Sequence, residues 1–188
     1  MMTLRRWSVA IFIVYLLNGC AALEVQTDYD PDIDFSRYKT YQWVPGPQKE
    51  TGNPRLDNPL LDKRIRSAVE KELAAKGYVK AENGRPDFKV AYHTALEMRS
   101  EYRTIDDFYR GYGYYGYTGW GGRTTYVYQY EEGTLILDII DAKTNSLVWR
   151  GTVRAEIMEY RKKEKRDKQL HNIVHRMIAK FPPSQKKK

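Results

Sequence analysis

The sequence predicts an α+β domain: a largely antiparallel sheet of about five or six strands with two amphipathic helices packed on one face. Three observations carry this. Two stretches, one around Leu61 to Lys76 and one from Lys163 to Phe181, hold apolar residues at helical spacing. Several runs between them alternate apolar and polar residues with the period of a half-buried strand. Cys20 is the only cysteine, so no disulfide staples the fold and a packed core must hold it.

Residues 1–19 have the parts of an export signal: basic Arg5 and Arg6, an apolar run from Val9 to Leu17, then Asn18 and Gly19. The apolar run makes about 14 Å of helix, half of a hydrocarbon core of about 30 Å, so it does not span a bilayer. The stretch Leu17 to Cys20 resembles the lipobox of bacterial lipoproteins, with Asn18 as its one departure and cleavage between Gly19 and Cys20. That resemblance implies a diacylglycerol on the Cys20 thiol and an acyl chain such as palmitate on its freed amine. Lipidation would consume a thiol that is otherwise a liability in an oxidising compartment. Ala21, where an inner-membrane lipoprotein tends to carry Asp, implies the outer membrane, with the protein on its periplasmic side. The expected organisation is a signal peptide at 1–19, a lipidated end and short tether at 20–23, one domain at 24–181 and a basic tail at 182–188.

Charge is uneven along the chain. Residues 150–188 hold 13 Lys and Arg against 4 acids, whereas residues 20–149 hold 17 against 20. Arg161, Lys162, Lys163, Lys165, Arg166 and Lys168 form a basic set that either solvates a face or meets anionic headgroups or acidic cell-wall groups. Nucleic acid is not expected beyond the inner membrane.

Leu23, Val25, Thr27 and Tyr29 alternate with polar residues as a first strand. The acids Asp28, Asp30, Asp32 and Asp34 have the look of a calcium loop. Ile33 stands where the turn Gly belongs and Lys39 where the bidentate Glu belongs, so no metal is expected. Tyr38 to Val44 reads as a second strand ending at Pro45, and residues 45–56 as a loop. Asn58 caps a helix that Pro59 opens and Gly77 ends, with Leu61, Ile65, Ala68, Val69 and Leu73 on its core face. After Pro86, the residues Phe88, Val90, Tyr92 and Thr94 share one strand face, and the alternation runs to about Tyr102.

Residues 104–122 are read as a Tyr and Gly loop. Gly111 to Gly116 spells the dinucleotide fingerprint, but Thr118 to Gly122 will not form the helix it requires. Tyr109, Tyr112, Tyr114, Tyr115, Tyr117 and Trp120 either join two strands passively or form a partner-binding loop of rigid rings and adaptable glycines. Three strands follow, at Thr125 to Tyr130, Thr134 to Ile140 and Ser146 to Met158, the last two joined by the turn Asp141 to Asn145. Leu170, Ile173, Val174, Met177, Ile178 and Phe181 make the core stripe of the final helix.

Gly133 to Asp138, the Asp141 to Asn145 turn, Leu147 to Gly151 and Lys180 to Pro183 resemble a family of small bacterial lipoproteins, the domain of unknown function DUF4136. Thr27 to Asp30, Phe35 to Trp43, Gly77-Tyr78 and Pro86-Asp87 extend the resemblance over nearly the whole mature chain. It implies a periplasm-facing sheet-and-helix domain and brings no catalytic residues. The residues themselves offer no serine elbow, phosphate loop or metal-spaced cysteines, His93 falls within a strand, and the adjacent acid pairs have no acid–base geometry.

The expected protein is a non-enzymatic lipoprotein of the bacterial envelope. It would hold to outer-membrane lipid through Cys20, need no cofactor beyond that covalent lipid, and bind an envelope or cell-wall partner or support membrane integrity. The alternative is an envelope hydrolase or glycan-binding module whose site forms only in the tertiary structure.

Overall fold

A computed structural model describes residues 23–45, 51–82, 84–107, 122–157 and 162–184. Six strands form one sheet: β1 (Val25–Tyr29), β2 (Thr40–Trp43), β3 (Val79–Lys80), β4 (Phe88–Asp107), β5 (Gly122–Asp141) and β6 (Leu147–Glu156), in the order β1-β6-β5-β4-β2-β3. Two helices, α1 (Pro59–Ala75) and α2 (Lys163–Ala179), cover one face.

The α+β expectation holds, but the sheet is mixed rather than largely antiparallel. β1, β6, β5 and β4 pair antiparallel, whereas β2 pairs parallel with both β4 and β3. The β2–α1–β3 crossover sets β3 parallel to β2, because a helix connecting neighbouring strands returns the chain in the same direction. β4, which follows β3 on the other side of β2, runs the same way again. β3 is only two residues long, too short to alternate visibly in the sequence.

Local chemistry sets each junction. Asn58 accepts the Leu60 N–H at 2.9 Å, with Pro59 in the first turn of α1. At the other end Gly77 takes a φ of 85°, its N–H reaching the Ala74 carbonyl and that of Tyr78 the Leu73 carbonyl. This paired closure is what a left-handed glycine allows. The acids of the first loop are turn residues: Asp30 accepts the Asp32 N–H, and Asp34 the Ser36 N–H and hydroxyl, capping a 3-10 turn at Phe35–Arg37. Asp87 accepts the N–H groups of Lys39 and Thr40 and so pins β2 beside the start of β4.

The runs Thr125 to Tyr130 and Thr134 to Ile140, read as two strands, are one. β5 passes through Glu131, Glu132 and Gly133 in unbroken register with β4. Gly133 marks no turn; a Cβ there would lie 2.5 Å from Ile157 Cδ1, whose side chain occupies the space. β4 likewise continues to Asp107, so strand replaces residues 104–107 of the expected loop.

The core lies between helices and sheet and ends in an aromatic cluster. Phe181, fully buried, packs against Phe35, Tyr78, Phe88 and Trp149 with ring centroids 5.4–5.9 Å apart. Gly151 leaves room for the Trp149 indole to lie across it. The helices run parallel, as the cross-links Arg64–Asp167, Glu72–His175 and Lys76–Ala179 join residues at a constant offset. Both therefore begin at the pole opposite the aromatic cluster.

Candidate functional site

β4 and β5 outrun their neighbours. β2 accompanies β4 only to Val90 and β6 accompanies β5 only from Glu132, so residues 98–107 and 122–131 pair with each other as a two-stranded ribbon. Ten residues at about 3.4 Å each carry it about 34 Å beyond the sheet.

Its two faces differ. Met98, Tyr102 and Val127 continue the helix side of the sheet and stand open, at 67%, 73% and 55% exposure. On the reverse, Tyr128 and Tyr130 stack at 5.7 Å, the Arg103 guanidinium lies 4.8 Å from the Tyr128 ring centre, and the Tyr128 hydroxyl donates to Glu156 at 2.8 Å. Arg99 joins Glu97 at 3.0 Å and Glu132 at 3.2 Å.

At the ribbon's base, under the first turns of both helices, lies an apolar cavity of about 240 Å³ lined by Leu61, Ile65, Leu96, Leu135, Val153 and Leu170 among others. Its rim is polar, with Arg64 and Asp167 3.5 Å apart.

Two further features share this pole. β1 enters the sheet with Val25 opposite Val153, so the chain arrives from the ribbon end and Leu23 packs there against the core. α2 begins there too, and Lys162, Lys163, Lys165, Arg166 and Lys168 are all exposed on its first turns.

Sequence reasoning thus singled out a basic set that the fold gathers at one end. Cys20, Gly19, Arg161 and the rings of Tyr109, Tyr112, Tyr114, Tyr115, Tyr117 and Trp120 lie outside the described residues. The ribbon residues Met98, Tyr102, Val127, Tyr128 and Tyr130 were missed as a site, although the alternation running on past Thr94 was their signal.

His93 sits half exposed on the sheet face away from the helices, 3.3 Å from Asp138, which Arg150 holds through two contacts of 2.7 Å. The trio ties β4, β5 and β6 together across one register step. Among the described residues no group of three or more His, Cys, Asp or Glu is arranged to hold a metal, and no helix is long and apolar enough to cross a membrane.

The fold has relatives among solved structures. A PDZ domain protein from Parabacteroides distasonis superposes with a TM-score of 0.54 at 15% identity over 87% of this chain, which spans only 36% of that one. A PelC dodecamer from Paraburkholderia phytofirmans gives 0.46 at 12% identity, covering 89% of this chain and 100% of that one. A minor lipoprotein from Acinetobacter baumannii gives 0.35 at 11% identity, covering 77% and 89%. No curated protein matches the sequence. The model of the domain of unknown function DUF4136 matches residues 25–183, taking in Gly77-Tyr78, Asp87, Asp141, Trp149, Gly151 and Phe181 at the junctions and in the core described above, and the chain belongs to that family.

Proposed function

We propose that this protein is a non-enzymatic lipoprotein of the outer membrane, anchored through lipidated Cys20 on the periplasmic side. The β4–β5 ribbon acts as its contact arm. The observation that carries the reading is the shared pole: β1 enters the sheet at the end from which the ribbon departs. Leu23 lies three residue steps after Cys20, a reach of about 10 Å. An anchored domain therefore keeps the ribbon, the cavity mouth and the basic first turns of α2 close to the headgroups. Anionic headgroups reward such lysines by about 1 kcal/mol each.

The test is photocrosslinking in living cells with a probe at Tyr102 or Tyr126 in the full chain, beside a Cys20→Ser variant. Capture of an envelope partner that is lost when Cys20→Ser abolishes lipid labelling supports the reading. Undiminished capture by an unlipidated, displaced chain refutes the anchored arm.

A further inference from the structure

We propose that the outer edge of β4 pairs with the same edge of a second copy, forming a two-fold dimer centred on Ser100. Beyond Val90 no described strand covers that edge, so among the described residues it runs unpaired from Tyr92 to Asp107. A long free edge is a template for another strand. The Val90 carbonyl accepts the Val44 N–H, so even-numbered residues of β4 turn their backbone groups outward. The register with β5 has no bulge, and this parity holds through Ser100.

The side chains select both the partner and the register. Along the edge stand Glu97, Met98, Arg99, Ser100, Glu101, Tyr102 and Arg103. An antiparallel copy centred on Ser100 sets Glu97 opposite Arg103 of the other strand and Arg99 opposite Glu101. Every charge then faces its opposite. On the other face the exposed Met98 meets the exposed Tyr102. A shift of the centre to Arg99 or Glu101 puts like charges opposite each other, which is unfavourable. Centring on Met98 leaves Glu101 facing Ala95 and Arg103 facing His93. Ser100 is also the midpoint of the stretch from His93 to Asp107, so Asp107 of one copy reaches only His93 of the other and stops short of β2. The outer edge of β5 offers no such code, because Tyr126 to Tyr130 carry no charge. Such a contact is isologous and closes on itself. The present pairs Arg99–Glu97 and Arg103–Glu101, both exposed, exchange for intermolecular ones at little cost. Outward N–H and C=O groups from Leu96 to Thr104 gain partners.

Cysteine crosslinking of the full chain in intact cells tests this. Ser100 meets its own copy in a hydrogen-bonded pair with Cα atoms about 5.5 Å apart, within disulfide range. Ser100→Cys should give a band at twice the monomer mass under oxidation, well above the parent chain, which carries Cys20 alone. Ser146→Cys, exposed in the β5–β6 turn, should not. Adding Arg99→Glu and Arg103→Glu to Ser100→Cys should lower the crosslinked fraction about tenfold or more. Adding Glu97→Arg and Glu101→Arg as well should restore it, which separates lost pairing from lost folding. No band at Ser100→Cys, equal crosslinking at Ser146→Cys, indifference to the first pair of changes, or failure of the second pair to restore would each overturn the proposal.

Discussion

The Tyr38 hydroxyl donates to the Asp141 carboxylate at 2.8 Å, across 103 residues of sequence. Arg37 reaches the same oxygen at 2.8 Å, while the Lys143 and Thr144 N–H groups bind the other. One carboxylate thus closes the β5–β6 turn and fastens the 3-10 turn to the sheet.

Burial raises the Asp141 carboxyl, but the Thr144 N–H, the Tyr38 hydroxyl, the Lys143 N–H and the Arg37 charge outweigh it and hold the group at about 2. A carboxyl depressed in the folded state stabilises fully above its unfolded value of about 3.9, and the contribution is lost as pH falls toward 2. Asp141→Asn should cost about 2 kcal/mol at pH 7 in urea unfolding. The difference from the parent should shrink as pH falls from about 4 to 2. A gap independent of pH contradicts the assignment.

Two glycines separate a soft neighbour from a rigid one. A Cβ on Gly151 would lie 2.5 Å from the buried Trp149 ring, whereas one on Gly133 would meet the end of the Ile157 side chain, itself partly exposed. Gly151→Ala should therefore cost about 1–3 kcal/mol by overpacking. Gly133→Ala should stay within about 0.5 kcal/mol. Equal urea midpoints for the two variants would contradict this.

Much of this was legible beforehand, and what was missed has a physical cause. The bounds of α1 were written in Asn58, Pro59 and Gly77 because caps are local chemistry. The stripe of α2 was written in its spacing, and the buried Val174, Met177, Ile178 and Phe181 bear it out. Gly133 misled because a strand glycine looks the same whether it turns the chain or makes room for Ile157. The parallel pairing of β2 was hidden because its partner β3 spans only Val79 and Lys80. The shared pole could not be read at all, since it arises from the register of β1 on β6 and the parallel course of the helices.

Opposite ends of one sheet face should respond differently to truncation. Phe181→Ala removes a ring packed on four others and should cost about 3–5 kcal/mol. Tyr102→Ala, at 73% exposure, should leave the unfolding midpoint within about 0.5 kcal/mol of the parent and reduce crosslinking to partners. Loss of stability at Tyr102 would argue against a free contact face.

If the basic first turns of α2 meet anionic headgroups, changing Lys162, Lys163, Lys165 and Lys168 to Gln should weaken binding to phosphatidylglycerol vesicles by about fivefold per lysine at low salt. Raising ionic strength should weaken parent binding steeply, because the Debye length is about 10 Å at 0.1 M. Binding that ignores both changes would remove this set from the membrane contact.

The position of Phe181 also has a bearing on when the domain can close. Its ring fills the gap among Phe35, Tyr78, Phe88 and Trp149, yet it stands just past the end of α2, the last described element. A polypeptide emerging N-terminus first carries four of these five rings long before the fifth arrives. Its aromatic end stays unsealed until α2 and Phe181 have emerged. Arrival of α2 with Phe181, rather than of any earlier segment, sets when that end can close.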